Sequence, residues 1–463
     1  MKKWFVFALV LCMLTVLGAA LADSAPTVAF DKKSGAMNGG FDYTLTVKAH
    51  KAPESDLTVT VQAEKLSKSW DVVIPAGETK ASLTIPLDLV EETVKYDLTF
   101  APSENYTAKK VTKHTVTVRP LPKVQFYLAV NYGRVGKSMS VKVMCSNPTA
   151  IVKSNNTFEL RDSDGTVLDT RSWSSPKQKL TFKFDVTENM TGRRYFTVWL
   201  GDYNLTPNDG YGSISAGERT VYSTEPLIPL MGIGIDCAYA ADRTDEILAI
   251  LEKHNVKCTF FMTSFFLTNF TEEAQKIRDA GHEIANHSQS HEHMKTLRSG
   301  ELFRQITTPI EHAETLLGVT PRLFRPPYGE YNGNVTSLAR SEGMEVIMWS
   351  ATAHDSSFKY TQEQVLRFAT TGSDFKPGSI LLMHLNGMGS NLTLETALPY
   401  YESLGLKVVP ISALLYASGK ELPERNGKEP LVYTNEYWEN WLVNNLPEYA
   451  AQLEALRQEQ TQE

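Results

Sequence analysis

Two all-β, Ig-like sandwich domains followed by one parallel β/α domain is the architecture this sequence predicts. Three observations carry that expectation. Short runs of alternating apolar and polar residues fill the chain from Pro26 to about Tyr222. Beyond Tyr222, strand-like and helix-like runs alternate about seven times. The side chains capable of chemistry gather in that last region, at the ends of its strand-like runs.

The first zone, Pro26 to Arg119, contains FDYTLTVKA, LTVTVQA, ASLTIPLDL, KYDLTFAP and HTVTVRP. Each has the period of two that puts alternate side chains on opposite faces of a sheet, and Gly, Pro, Asn and Asp break the runs. Regular spacing of such runs is the mark of a β-sandwich. Pro120-Leu121-Pro122 reads as a short linker. The second zone repeats the style with VQFYLAV, MSVKVMC, FELRDSDGTVLDT, KLTFKFDV and RRYFTVWLG, and Asp164-Gly165 reads as a hairpin turn.

In the third zone LIPLMGIGID is strand-like and TDEILAILEKHN is helical, with Thr244 expected as its N-cap. The strand VKCTFFM precedes a helix from Thr271 that stops at Gly281. HEIAN is the third strand, followed by a long helix ending at Gly318. RLFRPP, EVIMWSA, SILLMH and KVVPIS follow as strands, with helical NVTSLARSEG, TQEQVLRFATTG and LETALPYYESLG between them. Such alternation gives a parallel sheet, either open or closed into a barrel. In the tail, NEYWENWLVNNLPEYAAQLEALRQ reads as an amphipathic helix docked on the body through its aromatics. The expected divisions are a leader at 1–22, sandwiches at 23–120 and 121–222, the β/α domain at 223–420 and a helical tail at 421–463.

The leader MKKWFVFALVLCMLTVLGAALA has a charged start, an apolar run and Ala20-Leu21-Ala22 in the small-x-small form of a cleavage site. It predicts export to the cell surface or beyond; an uncleaved membrane anchor is the alternative. Leu11 before Cys12 is too bulky for the usual lipidation signal. No later segment is apolar enough to span a membrane. Net charge is −7 without a long Lys/Arg run, so no nucleic-acid partner is expected. Without the leader, Cys145, Cys237 and Cys258 remain, an odd number that makes a poor disulfide framework. Cys237 ends one strand and Cys258 begins the next, which at about 3.3 Å per residue is too far for a bridge.

Eight of the ten histidines lie between His254 and His384. Their positions within the β/α units matter more than their number. Asp236 ends the first strand and His287 follows the third. Arg325 ends the fourth, Trp349 ends the fifth with Asp355 just beyond, and His384 ends the sixth. In a parallel β/α barrel these strand ends meet at one mouth, where active sites are built. Each residue alone has a blander reading: a histidine after a strand is usually a loop residue, and His282 and His293 read as structural or surface residues.

With these residues in place, the region from about Leu227 to Leu415 resembles the NodB-homology polysaccharide deacetylases, the fourth family of carbohydrate esterases. GIDCAYA stands where that family has an Asp-Asp pair. NHSQSH is similar to its two-histidine metal motif, and RPPYGEYN to its Arg-Pro-Pro-Tyr motif. WSATAHDS corresponds loosely to a segment running from Trp to Asp-Trp, and LLMH to its closing Leu-x-His. The resemblance implies a distorted (β/α)7 barrel that removes acetyl groups from N-acetylated polysaccharide, with the sandwiches as spacers, glycan contacts or cell-wall attachment. It implies a divalent metal, zinc above others, on His287 and His291, with Asp236 as general base and His384 as general acid. Arg325 would orient the base, the backbone N–H of Tyr328 would bind the oxyanion, Asp355 would pair with His384 and Leu382 would line the acetyl pocket.

This cast suits amide hydrolysis on chemical grounds. A bound metal polarises the carbonyl and activates water. One group must take the water proton and another must protonate the leaving amine. Cys237 departs from the pattern, standing where the family has a metal-binding Asp. Three readings stay open: Cys237 is the third ligand, a combination with two histidines known in catalytic zinc sites; it points away, leaving two histidines with water or Asp242; or the domain is inactive. Thr352, Ser356, Leu385 and Asn386 also replace expected residues, and the lost Trp at Ser356 reshapes the acetyl pocket. A glycan-binding protein with a degenerate barrel and an O-acetyl xylan-type esterase are the competing functions.

Overall fold

The computed structural model describes residues 25–452 apart from 129, 174–178, 207–209, 216–219, 372–374 and 424–427. The expected leader lies outside the described residues.

In the first β region one sheet runs in the order Lys80–Pro86, Asp42–Ala49, Thr27–Phe30, Thr107–Ala108. A second runs Ser34–Asn38, Lys113–Arg119, Val94–Phe100, Leu57–Ala63, Lys68–Ile74. Strand Asp42–Ala49 shows the physics: Tyr43, Leu45, Val47 and Ala49 are buried, while Asp42 and Thr44 face out. Val28 and Leu45 from one sheet share a core with Val59 and Val116 from the other. The second β region has a three-stranded and a larger sheet around Val141, Phe158, Phe182 and Phe196. Gly165 has φ 88° in the turn between the antiparallel strands Thr157–Asp162 and Val167–Ser172, the hairpin that the Asp-Gly pair predicts.

Contacts between regions are specific. Asn38 is buried and its amide donates to the carbonyls of Pro120 (2.7 Å) and Ala150 (2.9 Å), tying the first region to the second. Arg193 of the second region forks onto Glu342 of the third at 3.1 and 2.8 Å, its guanidinium 4.8 Å from the Phe303 ring centre.

In the third region the strands pair in the order Thr220–Val221, Glu345–Ile347, Leu323–Phe324, Glu283–Asn286, Thr259–Met262, Leu230–Cys237, Ile380–His384, Ala351–Thr352, with Lys407–Val409 also on Leu230–Cys237. All these pairs are parallel. Glu345–Ile347 and Ala351–Thr352 belong to one stretch of chain, yet pair near opposite ends of the sheet order, so this stretch draws the sheet round into a barrel-like form. Strand Leu230–Cys237 is buried at every position, as a strand covered on both faces must be.

Two expectations need correction. The barrel sheet begins at Thr220, inside the stretch assigned to the second sandwich, because Thr220–Val221 pairs with Glu345–Ile347. Thr244 is not an N-cap: Arg243 holds that position, and the Thr244 hydroxyl donates backward to the Ala241 carbonyl at 2.7 Å. The tail helix, Asn435–Asn445, docks through buried Trp438 and Leu442, with Tyr433 and Tyr449 in the same core.

Candidate active site

Parallel register sets the site. Asp236 on strand Leu230–Cys237 lies directly beside His384 on strand Ile380–His384. On the other side Cys237 pairs with Met262, and Met262 with Asn286, so the third strand ends level with them and His287 follows. Asn286 in turn pairs with Phe324, which puts Arg325 at the same level. The sequence scatters these groups over about 150 residues; in-register parallel pairing brings them to one mouth.

Arg325 is fully buried and donates from Nη1 to the Asp236 carboxylate at 2.7 Å and to the Gly234 carbonyl at 3.2 Å. Its guanidinium carbon lies 4.0 Å from the Phe261 ring centre and 5.9 Å from that of Trp349. Only glycine fits at 234, since a Cβ there would come within 2.3 Å of the guanidinium. Burial alone would raise the Asp236 carboxyl, but the charges of Arg325, His287 and His384 outweigh it and hold the group below its ordinary value.

His384 is held by Asp355, whose Oδ1 lies 2.8 Å from Nδ1. Burial alone would lower its pKa; the Asp355 hydrogen bond and charge, with Asp236 behind them, raise it instead. With Nδ1 engaged, Nε2 is the edge left for substrate. Leu382, two residues earlier, shares that strand face and is buried, where an acetyl methyl could contact it.

The His287 Nδ1 lies 2.8 Å from the Arg325 carbonyl oxygen. A carbonyl only accepts, so Nδ1 carries the proton and Nε2 keeps its lone pair. That Nε2 is 3.5 Å from the second Asp236 oxygen. The His291 ring centre is 4.9 Å from that of His287. Burial lowers both imidazoles, and with the neighbouring His287 it brings His291 down to about 4.

The loop that presents them is bent and braced. Ser288 and His291 have left-handed backbones, φ 74° and 59°. The Asn286 side chain accepts from Ser288 N–H at 2.8 Å and donates to the Ile306 carbonyl at 2.8 Å. The Ser288 hydroxyl accepts from His291 N–H at 3.0 Å, and Gln305 bonds both the N–H and hydroxyl of Ser290. Ser288 and Ser290, the spacers of NHSQSH, are therefore its scaffold.

As a donor pair, His287 and His291 fit a metal. Among the described residues, however, no three His, Cys, Asp or Glu side chains converge closely enough to hold one. Cys237, the expected third ligand, is the correction. Its thiol is buried in the apolar core, with the Ile235 carbonyl as its hydrogen-bond partner at 3.7 Å. Burial and the Asp236 charge push it well above its ordinary value, against the thiolate that ligation needs. The physical reason is strand alternation: consecutive residues point to opposite faces, so with Asp236 facing the mouth Cys237 faces the surrounding layer.

Tyr328 has φ 57°, and its exposed ring packs edge-on to His291 at 4.6 Å and stacks on His293 at 4.3 Å. Trp349 packs on the turn at Gly329, where a Cβ would lie 2.9 Å from it. His282 is structural: it is buried, accepts from Cys258 N–H at 3.1 Å and is lowered to about 3 by burial. Asp242 accepts from the Asn386 amide at 2.5 Å. Among the described residues, Cys145, Cys237 and Cys258 are free thiols.

Residues 229–347 match the family model for polysaccharide deacetylase. The chain carries a polysaccharide deacetylase domain. The match to the model stops before Trp349, Asp355 and His384, which geometry adds to the site. The domain is 32% identical over 164 residues to an uncharacterised protein, YlxY, of Bacillus subtilis, covering 35% of this chain and 50% of that one. It is 30% identical over 179 residues to a peptidoglycan-N-acetylglucosamine deacetylase of Bacillus cereus, covering 38% of this chain and 64% of that one. The chain thus spans about half to two thirds of the length of these relatives. Among solved structures, a CE4 family pseudoenzyme from Bacillus anthracis is similar at 30% identity and a TM-score of 0.41, covering 43% of this chain and 69% of that one.

Proposed function

We propose that this chain is an exported, metal-dependent deacetylase that hydrolyses N-acetyl groups of a cell-wall polysaccharide, peptidoglycan or a chitin-like glycan. One observation carries the reading. Asp236 and His384 sit side by side on neighbouring strands with their environments pulling them to opposite roles, the carboxyl favouring its charged form and the imidazole its proton. An acid and a base so placed suit amide hydrolysis, the activity named for the Bacillus cereus relative.

In this reading water adds to the amide carbonyl carbon as its proton passes to the Asp236 oxygen not engaged by Arg325. The C–N bond breaks as His384 Nε2 protonates the nitrogen, releasing acetate and the free amine. The Tyr328 N–H binds the oxyanion, and Leu382 receives the methyl group. A divalent cation on His287 and His291, zinc in the first instance, with water in place of Cys237, would polarise the carbonyl. The leader supports export, and the two β regions, read as Ig-like sandwiches, would be spacers or wall contacts.

A second reading is favoured by Cys237: a domain without its third ligand that binds glycan and does not turn it over. Acetate release from an N-acetylglucosamine oligomer and from acetylated xylan, by the full chain with zinc supplied, separates the possibilities. Release from the oligomer supports the proposal. Release from xylan alone moves it to an O-acetyl esterase, and binding of the oligomer without release supports the second reading.

A further inference from the structure

Three aromatic rings stand exposed at the mouth, each from the segment that follows a different strand. Tyr239 follows strand Leu230–Cys237, Phe265 stands on the short helix Ser264–Asn269 after strand Thr259–Met262, and Tyr328 follows strand Leu323–Phe324, with exposures of 54%, 41% and 57%. They are not scattered. Phe265 packs edge-on to Tyr239 at 5.4 Å, Tyr239 lies edge-on to His291 at 6.0 Å, and His291 meets Tyr328 at 4.6 Å. The result is a continuous aromatic strip running outward from the histidine pair.

The strip is held in position. The Tyr239 hydroxyl donates to the Ser290 carbonyl at 2.9 Å, fixing the ring to the histidine loop. Tyr328 stacks on His293, whose Nδ1 lies 3.2 Å from the Glu330 carboxylate. Leaving three large rings half in water forgoes burial that folding would otherwise favour. Clustered exposed aromatics beside a reactive site are a binding feature.

We propose that Tyr239, Phe265 and Tyr328 form a stacking shelf for a sugar ring of the glycan chain next to the acetylated residue. This rests on the deacetylase reading. The chemistry fits: a pyranose has a flat C–H face and a polar rim, and the shelf pairs flat rings with phenol, imidazole and carboxylate groups at its edges. Tyr239 lies in GIDCAYA and Phe265 in TSFF, so the shelf is built partly from the segment that supplies Asp236.

The test uses the full chain with Tyr239→Ala and Phe265→Ala, both at exposed positions. The reading is the ratio of kcat/KM for an N-acetylglucosamine pentamer to that for the monomer. The shelf predicts a fall of about five- to tenfold in this ratio, through KM for the pentamer, for each variant. An unchanged ratio overturns the shelf and leaves the deacetylase reading standing. If the wild-type chain releases no acetate, that reading fails by itself, and the shelf is then judged by calorimetric binding of the pentamer. Weakening by the same factor in both variants supports it, and equal affinities, or no binding at all, overturn it.

Discussion

Asp355 holds His384 at two points: its Oδ1 lies 2.8 Å from the imidazole Nδ1, and its Oδ2 accepts from the backbone N–H of His384 at 2.8 Å. The carboxylate is fully buried, and Gly387 leaves it room, since a Cβ there would lie 2.1 Å from Oδ2. The ring is thereby fixed in direction and in charge preference.

Removing that grip should move the pH profile. In Asp355→Asn the charge that raises His384 is gone, so its pKa falls and the alkaline limb of kcat shifts to lower pH. At neutral pH kcat should drop on the order of a hundredfold, the scale of a lost general acid. A pH–rate series checks this; an unmoved alkaline limb would remove His384 from the acid role.

Arg325→Met should be costly to folding as well as to activity. It leaves the Asp236 carboxylate buried without its cation, a change worth about 3–5 kcal/mol. The folded pKa of Asp236 is lowered, so its contribution to stability is present above the unfolded value and is lost as pH falls through the folded one. Without Arg325 that acid-side loss should begin at higher pH. Urea denaturation from pH 3 to 7 is the measurement.

Cys237→Ala should leave metal affinity close to that of the parent, because the thiol faces the core and stays protonated. His287→Ala should weaken metal binding at least about tenfold. Metal per chain after dialysis against graded chelator decides it. Equal loss in both variants would restore Cys237 as a ligand.

Glu283 gives a prediction away from the site. It is buried among Thr259 and Ser412, at 2.6 Å from the Thr259 hydroxyl, and burial pushes its carboxyl up to about 7. A carboxyl raised on folding makes the protein more stable at low pH and less so as pH climbs from its unfolded value through the folded one. Over that window the loss is of order 3 kcal/mol. Glu283→Gln should flatten the dependence of thermal stability on pH between 5 and 8; an unchanged slope would show that Glu283 ionises freely.

Much of this was legible in the chain. Period-two runs such as FDYTLTVKA became strands with Tyr43, Leu45 and Val47 inward, because alternation leaves a half-buried strand little choice. The mouth residues Asp236, His287, Arg325 and His384 were legible as strand ends, and parallel register did the rest. Cys237 was misread because a motif aligns residue types, whereas side-chain direction follows the pleat. Gly234 was missed because its role is to carry no side chain beside a guanidinium that arrives from 91 residues away. Asn286, Ser288 and Gln305 were missed as scaffolding, although the polar spacers of NHSQSH were the available signal. The boundary at Tyr222 failed because Thr220–Val221 is too short to show a period.

The most direct test of the central claim is acetate release from an N-acetylglucosamine oligomer by the zinc-supplied chain, measured beside Asp236→Asn. Release by the parent is expected, with a fall of at least about a hundredfold in the variant. No release by the parent, or equal release by both, would contradict that claim.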